Sequence, residues 1–147
     1  MPKKVLRDVT VDVDGSDLSD HFSSVTVEDS AAEVDGTAFG SVYTQTLKGM
    51  RTAQISGTVQ QDFDAGSVNA VLGPLNDQET PFKVIVKPTG SAVSATNPAF
   101  VMPDAQLLGY TPLDGSVGDH STTDITFGNA GDQGVVEVTN PADPLLS

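Results

Sequence analysis

The sequence predicts a mainly β domain of the sandwich or barrel-like class, with one short α-helix flanking it. Several short stretches alternate apolar and polar residues, which is the period of a strand with one buried face. Clusters of Gly, Pro and Asp separate these stretches, and a single central stretch has helical spacing instead. The 147 residues suffice for one domain with a core and are too few for two comfortable ones. Residues 1–147 are therefore interpreted as one domain.

The N-terminal part predicts two strands. The first runs over Val5–Asp14, and Asp14–Asp17 is a turn because its glycine permits unusual backbone dihedrals. The second runs over Ser24–Glu28. The residues expected to face inward are Val9, Val11, Val13, Val25 and Val27.

The stretch from Asp29 to Met50 has no sustained period. We expect a strand edge at Glu33–Asp35 that leads into a long, mobile loop or hairpin arm over residues 36–50. Its apolar residues need a cover, which a partner subunit could supply. A ragged pair of ordinary strands inside the monomer is the alternative. The candidate assembly residues are Thr37, Phe39, Val42, Tyr43, Leu47 and Met50.

The central stretch, Gln54 to Pro88, predicts strand, helix and strand. The helix is expected over about Asp64–Gly73, with Asp64 as N-cap and Gly73-Pro74 ending it. So short a helix must dock on the sheet. Its apolar stripe is Val68, Val71, Leu72 and Leu75, and the inward residues of the two strands are Ile55, Val59, Phe63, Val84 and Val86.

The remainder predicts short strands between polar loops. Thr89–Pro98 is expected to be a loop, and the tail 129–147 is rich in Gly, Asp and Pro. Val135, Val136 and Val138 could add one edge strand to the sheet. The other strands are expected at Phe100–Met102, Gln106–Tyr110 and Thr122–Phe127.

The composition excludes several classes of function. A formal charge of −13 argues against wrapping nucleic acid, which requires clustered Lys and Arg, and permits a surface that repels DNA. The lack of cysteine excludes disulfides and thiolate metal sites. No apolar run approaches the roughly 20 residues needed to span a bilayer, so no membrane partner is expected.

No catalytic, cofactor or metal site is predicted. Asp12–Asp17 is similar to the start of a calcium loop, but position 12 of that loop, usually glutamate, would be Ser23. The two histidines, His21 and His120, lie in no zinc spacing, and the sequence has no nucleophile elbow or phosphate loop. An enzyme is the least favoured interpretation.

With these elements in order, the chain resembles the major tail proteins, or tail tube proteins, of long-tailed bacteriophages, especially small ones from actinobacterial phages. The likeness lies in VDVDGSDLSDHFSSVTVED, EVDGTAFGSVY, GTVQQDFDAGSVNAVLGPL with PFKVIVKP, ATNPAF, LLGYTPLDGSVGD and DITFGNAG. It spans about Val9 to Gly131 and involves no catalytic signature.

The resemblance implies hexameric rings that stack into a tube, a conduit for DNA ejection. The bridging segments would be the N-terminal arm 1–7, the loop arm 36–50 and the tail after Gly128. It further implies an acidic lumen, with the candidate residues Asp12, Glu28, Asp62 and Asp124. The implied partners are further copies, the tail terminator, the tape measure protein and baseplate or tip proteins. The implied location is the virion tail tube, assembled in the host cytoplasm.

The alternative function is an immunoglobulin-like β-sandwich that acts as a binding module on a virion or cell surface. The absence of tryptophan argues against sugar binding by such a module, since sugar sites commonly use flat aromatic faces.

Overall fold

A computed structural model describes residues 9–113, 115–118 and 121–146. Within these ranges the chain forms one antiparallel sheet of eight strands and one α-helix, which confirms the predicted fold class. Two 3-10 helices, Ser19–His21 and Pro144–Leu146, accompany them. The elements are β1 (Thr10–Val13), β2 (Ser16–Asp17), β3 (Phe22–Asp35), β4 (Thr46–Gln60), α1 (Val68–Asp77), β5 (Phe82–Lys87), β6 (Ala99–Tyr110), β7 (Thr122–Asn129) and β8 (Val136–Val138).

The strand order is β2-β1-β5-β6-β7-β4-β3, and β8 pairs separately with β6. β6 is the centre of this arrangement because it pairs with β5, β7 and β8. The prediction of two strands at Phe100–Met102 and Gln106–Tyr110 is wrong, since one strand runs through both. A register shift opposite β5 falls at Pro103-Asp104, where proline has no N–H to donate to a ladder.

The helix begins and ends later than predicted. Its N-cap is Ser67, not Asp64, and it continues through Pro74 to Asp77. Proline removes one helical hydrogen bond, at a cost of about 3 kcal/mol. The last turn places Leu75 in the core at 4% exposure, and burying such a side chain is worth about 1.5–3 kcal/mol. The predicted stripe is confirmed, with Val68, Leu72 and Leu75 buried and Val71 partly buried.

The predicted turn after the first strand is confirmed as a two-residue hairpin between β1 and β2. Val13 pairs with Ser16, and the intervening Asp14 and Gly15 have φ angles of 51° and 82°. Positive φ at both positions suits a tight hairpin whose twist matches that of its strands. The predicted first strand began at Val5, but residues 1–8 lie outside the described part of the chain.

The sheet curves around one continuous core that α1 covers. The core combines the inward residues of five strands, Leu18 and the stripe of α1. Phe82 and Phe127 meet there edge to face, with ring centroids 5.8 Å apart. Phe63 was predicted to share this face, but it follows the end of β4 and is 60% exposed.

A smaller apolar cluster lies on the other face of β5, β6 and β8. It joins Ala99 and Val101 of β6 to Val138 of β8 and to Val93 from the loop after β5. Leu145 and Leu146 of the tail pack against it. The C-terminal tail therefore returns to the body of the molecule, and its predicted edge strand is confirmed as β8.

Candidate assembly surface

β3 and β4 extend together beyond the core as a hairpin arm. Their pairing continues from Phe22↔Val59 to Asp35↔Thr46, and residues 36–45 connect them. The predicted strand edge at Glu33–Asp35 is thus the end of a long strand, and the region is a hairpin. We call residues 36–45 the arm tip.

Local hydrogen bonds give the arm tip a defined shape. Gly36 N–H donates to the Gln45 carbonyl at 2.9 Å, and Gln45 N–H donates to Thr37 Oγ1 at 2.9 Å. Thr37 N–H donates to Asp35 Oδ1 at 2.9 Å. The bonds that Asp35 accepts from Thr37 lower the pKa of its carboxyl below the ordinary value of 3.8. Thr37, a candidate from the sequence, is therefore a structural residue of the turn.

The apolar side chains of the arm have no cover. Phe39 is 108% exposed, Met50 88% and Tyr43 82%, where most large apolar side chains of the body are buried. Val42 and Leu47, the other apolar candidates, are also exposed, as is Val34, which the candidate set left out. Val34 pairs with Leu47 across the hairpin, a contact that no local period in this stretch indicates.

Two glycines allow Val34 and Leu47 to lie flat against the backbone of the arm. A Cβ added at Gly49 would lie 2.8 Å from Val34 Cγ2, and one added at Gly36 would lie 2.7 Å from Leu47 Cγ. Side chains at these two positions would displace Val34 and Leu47. The glycines therefore help to keep the arm thin.

A second feature is the mainly polar face of β3, β4, β7 and the C-terminal half of β6, here called the open face, on which Leu108 is an exposed apolar residue. Its residues follow from the register, since the side chains of directly paired residues lie on the same side of a sheet. The rows are Ser24↔Thr58↔Asp124, Thr26↔Ser56↔Thr126 and Glu28↔Gln54↔Gly128↔Gln106. These rows contain hydroxyl and amide groups with two carboxylates and no Lys or Arg.

The four lumen candidates lie in three different places. Glu28 and Asp124 both lie on the open face, where Thr58 Oγ1 donates to Asp124 Oδ1 at 2.7 Å. Asp12 lies on β1 opposite Ile85, beside the turn and the C-terminal 3-10 helix. Asp62 lies beyond the end of β4, in the turn that leads to α1.

Asp62 organises the turn before α1. Its carboxylate accepts Asp64 N–H at 3.0 Å and the Ser67 hydroxyl at 2.8 Å, and His21 Nε2 lies 3.9 Å away. The Asp64 N–H, the Ser67 hydroxyl and the nearby His21 lower the pKa of this carboxyl below its ordinary value of 3.8. Ser67 also lies 3.1 Å from His21 Nε2, so the cluster joins the first 3-10 helix to α1.

At each side of the open face, the outermost strand has one edge that pairs with no other strand among the described residues. Among the described residues, β3 pairs only with β4 along its whole length. At the other side, β6 pairs with β5 through Phe82↔Ala105 and residues before it, so among the described strands only β7 pairs with Gln106–Tyr110. An exposed strand edge is a template for pairing with another chain.

The described residues contain no group of three or more His, Cys, Asp or Glu side chains that could hold a metal ion. None of the helices in the described ranges is long and apolar enough to cross a membrane.

No protein-family model and no curated protein matches the sequence. Several solved structures match the fold. A chain of a structure described as the virion of a native gene transfer agent particle has a TM-score of 0.71 and 15% identity, covering 91% of this chain and 99% of that chain.

Two further structures extend the likeness. One is described as the sheath/tube terminator of an extracellular contractile injection system, with a TM-score of 0.69, 14% identity and coverage of 93% of this chain and 97% of that chain. The other is described as the tail of an empty gene transfer agent particle with C6 symmetry, with a TM-score of 0.62, 18% identity and coverage of 87% and 92%.

At these identities the likeness concerns the fold, and for the fold it confirms the resemblance to tail tube proteins. The actinobacterial detail stays a prediction.

Proposed function

We propose that the chain is a structural subunit of a phage-type tail tube, in which six copies form a ring and rings stack into a conduit for DNA. The observation that carries the proposal is the arm with its uncovered apolar tip, in a fold shared with chains of tail particles. Exposed apolar patches of this kind mark interaction surfaces. The C6 symmetry in the description of one matched tail favours six copies.

The unpaired edges of the open face support a closed ring. β3 of one copy would pair with Gln106–Tyr110 in β6 of the next. Each copy would thus pair through β3 with one neighbour and through β6 with the other. A head-to-tail contact that closes by rotation gives a ring in which both edges of the open face are paired. The four-stranded open faces would then form one continuous wall.

We infer that this wall lines the lumen, and that Glu28 and Asp124 are its acidic residues. Both lie on the open face, whereas Asp12 and Asp62 lie elsewhere in the fold. DNA carries one negative charge per ~1.7 Å. A wall of hydroxyl and amide groups with sparse carboxylates offers no cation to hold its phosphates, so DNA would pass without adhering.

The proposed partners are further copies of the chain, the tail terminator, the tape measure protein and baseplate or tip proteins. The proposed location is the virion, after assembly in the host cytoplasm. The arm, the N-terminal segment 1–7 and the tail after Gly128 are the proposed bridging segments.

Electron microscopy of the purified full-length protein over a range of concentrations tests the proposal. We expect hollow six-fold rings and tubes in negative stain. Rings that never stack would assign the chain to a terminator-like role, which the likeness to a terminator structure favours as the second candidate. A protein that stays monomeric at every concentration would contradict both roles.

A further inference from the structure

An apolar groove separates the two ends of the curved sheet. It is lined by Val25 and Val27 of β3 on one side, by Val9 and Val86 on the other, and by Phe100 of β6. Val135 adds a further apolar wall. The groove measures about 370 Å³, within the range of about 300–1,000 Å³ of pockets that enclose small ligands.

The arm tip matches the groove in chemistry, because the exposed side chains of the tip and most of the groove lining are apolar. The segment from Gly36 to Leu47 has no charged residue, in a chain of net charge −13. Its apolar side chains project into solvent, and those of Phe39 and Tyr43 are the largest. Aromatic side chains dominate the energetics of interfaces when a pocket receives them.

The arm tip cannot reach the groove of its own copy. Asp35, the last residue of β3, follows Val27 by eight positions, which at ~3.3 Å per residue places the base of the arm tip about 26 Å from Val27. The pairing of β3 with β4 up to Asp35↔Thr46 keeps the hairpin extended. Only another copy can bring a tip to the groove.

We propose that the arm tip of one copy inserts Phe39 into the groove of a neighbouring copy. This inference rests on the proposed tube function and names the docking site of the arm. A protruding apolar group and a pocket elsewhere on the same molecule make a head-to-tail contact, which produces rings or filaments. Asp29, Lys87 and Glu137 also line the groove and are its charged residues.

Cross-linking tests the contact directly because the chain has no native cysteine. Ala38→Cys places a thiol beside Phe39, and Glu137→Cys places one at an exposed position that lines the groove. We expect a short bis-maleimide to convert the assembled double variant into a ladder of covalent multimers on a denaturing gel. Each single variant should give at most dimers.

A second pair of cysteine substitutions, Ala38→Cys with Val117→Cys, provides the matched control. Val117 is also exposed, at 106%, but it lies in the loop between β6 and β7 and does not line the groove. A ladder from Ala38→Cys with Val117→Cys, and none from the first pair, would place the arm on that loop and overturn the proposal. A bond between Val5→Cys and Glu137→Cys within one chain, with no ladder from the first pair, would assign the groove to the N-terminal segment and overturn it as well.

Microscopy of the same samples separates the two proposals. Tubes without the expected ladder would support the tube function and overturn the docking site. A ladder without rings or tubes would support the docking site and overturn the tube function. Neither ladder nor tubes would overturn both.

A substitution in the arm gives an independent readout. Phe39→Asp should abolish tubes and the ladder while leaving the thermal midpoint of the monomer unchanged, because Phe39 is fully exposed. Phe39→Leu keeps an apolar group and should still assemble. Equal assembly of both variants would contradict a role for Phe39.

Discussion

Phe127 and Phe39 show how differently the two parts of the molecule use the same side chain. Phe127 is fully buried in the core and packs edge to face on Phe82. Phe39 is 108% exposed at the arm tip. Burying such a side chain stabilises a protein by about 1.5–3 kcal/mol. The monomer has this stabilisation at Phe127 and lacks it at Phe39. The core thus stabilises one copy, and the arm holds apolar surface available to another.

The largest expected effect is a charge in the core. Leu72 lies on the buried face of α1, and its side chain is fully buried. Leu72→Asp would place a carboxylate at this position. The lost packing should cost about 2–5 kcal/mol and the desolvated polar group about 2–7 kcal/mol more, which together approach the 5–15 kcal/mol typical of a whole domain. Circular dichroism and chemical denaturation should show a largely unfolded protein.

Leu72→Met is the matched control, with an expected cost below about 1.5 kcal/mol because it conserves volume and polarity. If Leu72→Asp unfolded as cooperatively as the wild type and at the same denaturant midpoint, the position of α1 over the core would be contradicted.

The second-largest expected effect comes from shortening the arm. In contrast to Leu72→Asp, this change should leave the fold intact and abolish assembly. Replacing residues 36–45 with Asn-Gly would close the hairpin between the paired residues Asp35 and Thr46 with a favoured two-residue turn. The free energy of unfolding should change by no more than about 0.5 kcal/mol, as for most surface changes. Negative-stain images should show no tubes.

A control of unchanged length separates the apolar groups from the loop itself. Serine at Phe39, Val42 and Tyr43 should abolish tubes as completely as the shortened arm. Tubes from either variant would show that the arm tip is dispensable for assembly.

The smallest effect concerns the turn that joins the body to α1. The pKa of Asp62 is lowered by its hydrogen bonds, so its contribution to stability is complete above the ordinary value of 3.8 and is lost as the pH falls through the lower, folded-state pKa. Asp62→Asn should therefore lower the thermal midpoint at neutral pH, and the difference from wild type should vanish in acid.

Asp64→Asn is the matched control, because it keeps the backbone N–H that Asp62 accepts. A midpoint for Asp62→Asn that is equal to wild type at neutral pH, or a difference that grows in acid, would contradict this role. No effect on assembly is expected, because Asp62 lies away from the open face and the arm.

Much of the body could be predicted because its signals are local. Alternation identified the strands around Val11, Val84 and Ile125, and helical spacing identified the stripe of α1, since each period depends on neighbouring residues alone. The errors arose where distant contacts decide the outcome. Pro74 remains inside α1 because Leu75 reaches the core, and Phe63 leaves the core because β4 ends before it.

For the candidate surface, the lack of a period after Asp29 predicted a loop or hairpin arm, and the hairpin is observed. The assembly residues and the acidic lumen residues, which the resemblance implied, stay predictions. The sequence carries no local signal for the groove, since its walls come from Val9, Val27 and Val86, on strands far apart in the chain. The sequence also does not distinguish Asp124, which lies on the open face, from Asp62, which stabilises the turn before α1 through hydrogen bonds.

The sequence by itself determined a mainly β domain, one docked helix, a hairpin turn at Asp14-Gly15 and a stretch after Asp35 whose apolar residues need a cover. Only the tertiary structure decided which strands pair, which edges stay free and which face stays polar. The physical reason is that residue periods report whether a side chain is buried, whereas pairing and edges depend on contacts between residues far apart in the chain. The arm shows this difference between sequence and tertiary structure most clearly. Its apolar residues were evident from the sequence, whereas their exposure became evident only from the fold.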